Sequence, residues 1–247
     1  MKRRHVLGMA LLLVSVGSGA AYAQGHGDDK DQGRGRGHDK GQPDGPPGQV
    51  SREEQARRIQ AEQQRAAQYR QHLDHQVPIV QQQAAQLHEQ QREAQARVQA
   101  DYAERLRAQQ QQIAAERRYE SDPYVTTPHS YRYMVSGSPR QTNQYGADVL
   151  RQAVNNGYQL GFRSGEADRT DRRPSGYRNS IAYRDANYGY SGNYVDRTDY
   201  NYYFRQGFTR GYSDGYASRN QYGNQVNGSP TILGTLLNSI LGLSSIR

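Results

Sequence analysis

Arginine and aromatic residues stand side by side at several points in the C-terminal part of this 247-residue chain, as in Tyr177-Arg178, Tyr183-Arg184 and Phe204-Arg205. Guanidinium groups pair with anionic groups and aromatic rings stack, so the pattern is typical of binding to acidic polysaccharide or single-stranded nucleic acid. Aspartates interspersed among them predict Arg–Asp pairing on a solvated face as the alternative. If the chain binds a polyanion, the arginines that would contact it are Arg178, Arg184, Arg205 and Arg210.

Two other patterns could hold a metal, and we predict that neither does. His72 and His75 lie one helical turn apart with Asp74 between them, but histidines on a polar helix usually bind nothing. The alternating oxygen ligands from Asp185 to Asp196 place Gly189 at position five of a calcium loop, where position six is required. The chain contains no cysteine and no G-x-S-x-G or H-E-x-x-H motif. We therefore expect no catalytic residue, no metal, no cofactor and no enzymatic activity.

The N-terminus has the features of a secretory signal peptide at residues 1–23. Lys2, Arg3 and Arg4 precede an apolar run over residues 6–16, and Ala21-Tyr22-Ala23 supplies a cleavage site between small residues. We expect an exported protein that is periplasmic, attached to the outer envelope or extracellular. Export argues against nucleic acid as the partner.

The composition predicts that only part of the chain has a hydrophobic core. Only 34% of the residues are hydrophobic, there is no tryptophan, and 20 tyrosines stand against 3 phenylalanines. Residues 24–50 are Gly, Asp, Lys, Arg and Pro with almost nothing apolar, which predicts a disordered spacer. The formal net charge of +8 permits a polyanionic partner without requiring one.

Residues 51–120 are rich in Gln, Ala, Arg and Glu, which predicts a helical or coiled-coil segment. Ser51 and Glu54 have the spacing of a capping box. A weak heptad seam is formed by Ile59, Ala66, Leu73, Val80, Leu87 and Ala94. Pro78 predicts a kink or split near Val77. A single helix or a polar low-complexity segment is the alternative to a coiled coil.

After a predicted linker at 121–143, a duplicated pattern predicts a small helical module over 144–219. The stretches that begin at Asn156 and Gln206 are fifty residues apart, and glycine recurs in each at every fourth position. On helices, this spacing makes a face without side chains against which another helix can pack closely. A turn-forming, low-complexity segment is the alternative. The predicted packing face consists of Gly157, Gly161, Gly165, Gly207, Gly211, Gly215, Tyr158, Phe162, Phe208 and Tyr212.

The block from Ala147 to Tyr216 resembles a group of uncharacterised exported bacterial proteins. The shared features are a glycine-and-aromatic helix, a middle segment of the form Y-R-x-A-x-x-G-Y, here Tyr183 to Tyr190, and a closing Y-R-x-G-F-x-x-G-Y-x-x-G-Y. Phe204 stands where that pattern has tyrosine. The resemblance covers roughly seventy residues and implies a folded domain without assigning an activity.

A second linker at 220–230 precedes a predicted amphipathic helix at 231–247, whose leucines and isoleucines fall on one face over residues 231–246. That face predicts contact with a membrane surface or docking on the module itself. The fold class that we expect is all-α with a large disordered fraction: a long Gln-rich helix or coiled coil, then the glycine-faced module. The expected function is that of a structural or interaction protein, which packs with itself or with an envelope partner; polyanion binding is the alternative.

Overall fold

The computed structural model describes residues 49–114 and 119–246, which are mostly helical. The predicted signal peptide and nearly all of the predicted spacer lie outside the described residues. The Gln-rich segment forms two long helices, α1 (Arg52–Glu89) and α2 (Glu93–Ala114). They run antiparallel, since Tyr69 near the middle of α1 is hydrogen-bonded to Gln109 near the end of α2. This helical hairpin packs on the C-terminal module through a shared core.

Helix α1 begins where the sequence predicts, because the Ser51 side chain accepts a hydrogen bond from the Glu54 amide at 3.2 Å. It then continues through Pro78, so the chain is not split near Val77. Pro78 lies on the exposed side of the helix, and the burial of Val77 and Val80 beside it compensates for the missing N–H donor. The chain reverses instead after Glu89, at a Gln91 with a left-handed φ of 57°.

Strands occupy both predicted linkers, so the all-α prediction is correct only in its helical part. A 3₁₀ turn (Tyr119–Ser121) leads into the first predicted linker, residues 121–143. The linker itself contains a short helix α3 (Pro123–Thr126) and a hairpin of β1 (Tyr131–Val135) and β2 (Ser138–Thr142). The second predicted linker leads into a hairpin of β3 (Gly223–Val226) and β4 (Ser229–Ile232). Both hairpins turn on two residues with positive φ, Ser136-Gly137 and Asn227-Gly228, as type I′ turns require.

The module consists of α4 (Gln144–Thr170), a 3₁₀ turn (Tyr177–Asn179), α5 (Ile181–Asp185) and α6 (Arg197–Ala217). Helices α4 and α6 run in the same direction, because α4 glycines of rising number lie against α6 residues of rising number. The segment between them crosses back over the aromatic side of α6, where Tyr177 contacts Tyr212 and Tyr183 contacts Phe208. The carboxylate of Asp171 accepts hydrogen bonds from two amides in the first turn of α2 and thereby joins the hairpin to the module.

The predicted C-terminal helix at 231–247 is shorter than expected. Helix α7 spans Gly234–Leu241, because Thr231 and Ile232 belong to β4 and a left-handed Gly242 ends the helix. The chain then forms β5 (Ser244–Ser245), which pairs with β1 in a three-stranded sheet. Leu241 is buried, and its apolar neighbours Leu236, Leu237 and Ile240 pack against the core. The apolar face of this helix thus docks on its own module.

Candidate functional site

The glycines of the predicted packing face lie buried between α4 and α6. Each lies against the backbone of a residue in the opposite helix, and the pairs are Gly157 with Phe204, Gly161 with Phe208, Gly165 with Tyr212, Gly207 with Val154, Gly211 with Tyr158, and Gly215 with Phe162. A Cβ added at any of them would come within 3.0 Å of that backbone. The backbone partners in α4, which are Val154, Tyr158 and Phe162, lie fifty residues before those in α6, which are Phe204, Phe208 and Tyr212. The duplicated helices therefore pack symmetrically on each other.

The aromatic residues of the same prediction lie in the core and are not available to a ligand. Tyr158, Phe208 and Tyr212 are buried, and Phe162 is half-buried. Tyr158 donates a hydrogen bond to Asp214 at 2.8 Å, and Tyr212 donates one to Asp168 at 2.6 Å. Burial is the main cause that raises the pKa of both phenols, so they stay neutral donors to carboxylates.

Two of the four predicted polyanion contacts, Arg184 and Arg205, meet in one cleft, and the other two lie outside its lining. Arg178 lies over the ring of Tyr177 at 5.6 Å, and Arg210 donates to the Gln206 carbonyl within its own helix at 2.8 Å. The cleft contains a third guanidinium, from Arg197, which the sequence did not single out. Three positive charges from α5 and α6 therefore border one surface depression.

This arginine cleft has a volume of about 500 Å³ and lies between α1, α5 and α6. Helix α1 supplies His72 and Gln83, α5 supplies Arg184 and Asp185, and α6 supplies Arg197 and Arg205. Arg205 is held in place by a hydrogen bond to the Tyr183 carbonyl at 3.0 Å, and its guanidinium lies 5.9 Å from the Tyr183 ring centre. Packing of the hairpin against the module thus creates the cleft.

A set of hydrogen bonds at the wall of the cleft orients the ring of His72. Its Nε2 lies 2.7 Å from Asp185 Oδ1, and its Nδ1 lies 3.2 Å from Arg197 Nη1. Because arginine only donates, Nδ1 must carry the lone pair and Nε2 the proton that is donated to Asp185. The other oxygen of Asp185 accepts from the Tyr102 hydroxyl, and burial followed by the nearby carboxylate raises the pKa of Tyr102. Asp185 is thus a carboxylate already satisfied from two sides.

Two polar groups in the cleft lack a protein partner. Asn201 is only 8% exposed, and its Oδ1 atom, an acceptor, is buried without a hydrogen bond. The Arg184 side chain is exposed, and among residues 49–114 and 119–246 no hydrogen bond or ion pair is found for its guanidinium. Three guanidinium groups face a single carboxylate among the residues that line the cleft. The cleft therefore has the positive charge and, at Arg184, the free donor group to bind an anion.

The candidate calcium-loop residues and histidines have other roles. Asn187 donates to Asp185 Oδ1 at 2.8 Å, and Asp196 is paired with Arg65 at 3.2 Å. His75 is exposed on α1 and does not join His72 in the cleft. Within the described ranges, no three His, Asp or Glu side chains are grouped so that they could hold a metal ion.

Within the described residues, no helix combines the length and the apolarity that crossing a bilayer requires. Comparison with known proteins finds no matching protein family, no similar curated protein and no similar solved structure. The resemblance to exported glycine- and tyrosine-rich bacterial proteins therefore stays a prediction.

Proposed function

We propose that this chain is a non-enzymatic exported protein that binds an acidic polysaccharide through the arginine cleft. The observation that carries the proposal is the meeting of Arg184, Arg197 and Arg205 around a single carboxylate, Asp185, which is already hydrogen-bonded to His72 and Tyr102. Guanidinium groups suit carboxylate and sulfate because they present several donors in a fixed plane. Among the described residues, Arg184 makes no side-chain hydrogen bond or ion pair that an anion would have to break. The free-energy cost of binding an anion there is therefore small.

Acidic polysaccharide is favoured over nucleic acid because the cleft offers no aromatic surface for bases. Binding of single strands normally uses exposed rings on which successive bases stack. The tyrosines that alternate with arginine in the sequence pack in or against the core instead, as Tyr183 does on Phe208. No tyrosine or phenylalanine is among the described residues that line the cleft. Sugar hydroxyls and carboxylates need no such rings.

Binding is favoured over catalysis because His72, the cleft residue best suited to proton transfer, has both ring nitrogens occupied. Nε2 donates to Asp185, and Nδ1 accepts from Arg197. A general base needs a free lone pair within reach of the substrate. In this arrangement the imidazole positions Arg197 and leaves the guanidinium facing the cleft.

Self-association, a coiled coil and membrane contact receive less support from the structure. The glycine faces are covered by each other, the seam residues Leu73 and Val80 are buried within the chain, and the apolar side of α7 packs on the core. Export rests on residues 1–23, which would place the cleft where envelope and secreted polysaccharides occur.

Titration of the full-length chain with an oligogalacturonate at low and moderate salt tests the proposal. We expect Arg184→Gln to weaken binding by about tenfold, since a hydrogen bond to a charged group contributes about that much. Arg178→Gln is the matched control, because Arg178 is also an exposed arginine of the same crossing segment but lies outside the cleft lining. Binding should also weaken as salt increases.

Equal loss in both variants, or no binding at low salt, would show that the cleft is not the site. Single-stranded oligothymidylate serves as the competing ligand. If it bound more tightly than the oligogalacturonate, the polysaccharide assignment would be wrong and nucleic acid would take its place.

A further inference from the structure

A second, smaller cavity of about 110 Å³ adjoins the arginine cleft. Gln83 and Ile181 line both depressions, so the two lie next to each other between α1 and α5. Side-chain amides dominate the lining of the smaller cavity, which includes Gln95 and Gln99 from α2. This amide cavity is too polar to be explained as a packing defect of the core.

Hydrogen bonds fix the orientation of the Gln95 amide. Its Nε2 donates to the Ser164 carbonyl at 3.0 Å and to Asp168 Oδ1 at 2.9 Å, and both of these atoms can only accept. The Oε1 atom must therefore be the end that has no partner. A buried acceptor without a protein donor is satisfied by an ordered water or by a donor of a bound ligand.

Two further acceptors of the same cavity have no protein partner. The Oε1 atom of Gln99 is unpartnered and the residue is 3% exposed, while Gln95 is 4% exposed. Ser180 is the N-cap residue of α5, yet its Oγ makes no hydrogen bond to the helix or to any other described residue. An N-cap serine normally bonds the first turn of its helix. Three buried acceptors without a protein donor thus belong to side chains that line the cavity.

The amide cavity is electrically balanced. Asp168 lies in its wall, but Arg92 pairs with that carboxylate at 2.9 Å and the Tyr212 hydroxyl donates to its other oxygen. Leu87 and Ile181 supply an apolar part of the wall. A neutral ligand with several hydroxyl donors and an apolar face matches this lining, and a pyranose ring has both properties.

We infer that the amide cavity is a sugar subsite, in which one ring of an acidic polysaccharide donates hydroxyls to Gln95, Gln99 and Ser180. The carboxylate of that ring or of its neighbour then lies in the adjoining arginine cleft. This inference rests on the proposed function and narrows it to a polymer of acidic sugars.

Titrations with two polymers of equal charge test the inference on the full-length chain: an oligogalacturonate, and a polyglutamate that has carboxylates but no sugar hydroxyls. We expect the wild type to bind the oligogalacturonate about tenfold more tightly than the polyglutamate, since one or two buried hydrogen bonds contribute about that much to affinity. Gln99→Leu should abolish this preference and leave polyglutamate binding within about twofold. Arg184→Gln should weaken both polymers. Gln82→Leu, an exposed glutamine of α1 outside the cavity lining, is the control.

Thermal unfolding separates a ligand role from a structural one. Gln99→Leu should be no less stable than the wild type, because its Oε1 atom has no bond to lose. Should that variant fail to fold, Ser180→Ala gives the same test with a smaller change.

Equal affinity of the wild type for both polymers, as expected for a cavity that holds water alone, would overturn the sugar subsite. A preference that survives Gln99→Leu and Ser180→Ala would overturn it as well. In either case the Arg184→Gln effect would still decide the proposed function. Failure of both polymers to bind would overturn both proposals.

Discussion

The backbone carbonyl of Phe204 in α6 occupies the place where a Cβ of Gly157 in α4 would lie, so no side chain fits between the two helices there. Such close approach brings Cα–H groups near carbonyl oxygens, a contact known from tightly packed helix pairs. The same contact recurs at every fourth residue along both helices. The core of the module therefore depends on the absence of six side chains.

Gly161→Ala should destabilise the protein by about 2–4 kcal/mol, because its Cβ would overlap the backbone of Phe208. Helix propensity alone predicts a change of about 1 kcal/mol in the opposite direction, so the sign of the effect is informative. Gly234→Ala in α7 is the control, since a Cβ there would meet nothing within 4 Å. Urea unfolding measures both variants. A Gly161→Ala protein as stable as the control would contradict the close packing.

Asp214→Ala should cost about 3 kcal/mol, since it leaves buried donors without partners. The fully buried Asp214 accepts from the Tyr158 hydroxyl and from the amides of Gln221 and Tyr222, which lead into β3. Asp148→Ala removes an exposed carboxylate that is paired with Arg151 at 2.6 Å, and it should change stability by less than about 1 kcal/mol. Chemical denaturation compares the two, and equal effects would show that the Asp214 network contributes little.

Alkaline pH should unfold the protein cooperatively. Burial raises the pKa of Tyr203 to about 12, and it also raises the pKa values of Tyr69, Tyr133 and Tyr200. The unfolded chain loses these protons near pH 10, whereas the folded protein keeps them. Stability is therefore fully present below pH 10 and is lost as the pH rises, by about 1.4 kcal/mol per pH unit for each such tyrosine.

Tyrosinate absorbance and circular dichroism, followed together against pH, measure this loss. We expect both signals to change in one transition above pH 10. Reversible ionisation of most tyrosines near pH 10 with the helical signal intact would show that the hydroxyls are not held in the core.

The full-length chain should sediment as a monomer at micromolar concentration. Its glycine faces and the apolar side of α7 are covered by other parts of the same chain. Analytical ultracentrifugation over a range of concentrations measures the mass. A stable dimer would revive the interpretation of the Gln-rich segment as a coiled coil between copies.

The helices could be predicted because their signals are local. Glycine at every fourth residue and an N-cap such as Ser51 act within a few residues of the chain. The hairpins were missed because their strands are four or five residues long and each second strand contains a proline, Pro139 or Pro230. The duplicated turn motif, V-S-G-S-P at Val135 and V-N-G-S-P at Val226, is the signal that could have revealed them.

The cleft could be predicted only in part. Arg184 and Arg205 stand out beside aromatic residues, whereas Arg197 does not. His72 and Asp185 are 113 residues apart in the chain, and nothing local in the sequence relates them. The unpartnered Oε1 atoms belong to Gln95 and Gln99, which the sequence does not distinguish from its many other glutamines. Which glutamine side chains become buried depends on how the α1–α2 hairpin packs on the module. That packing depends on contacts throughout the core and not on residues near each glutamine.

A crystal structure of the full-length chain with a galacturonate trisaccharide tests the central claim most directly. We predict that a carboxylate of the sugar lies within hydrogen-bond distance of Arg184 or Arg197 and that a ring hydroxyl donates to Gln95 or Gln99. A trisaccharide bound elsewhere, with the arginine cleft and the amide cavity holding only water, would contradict the account.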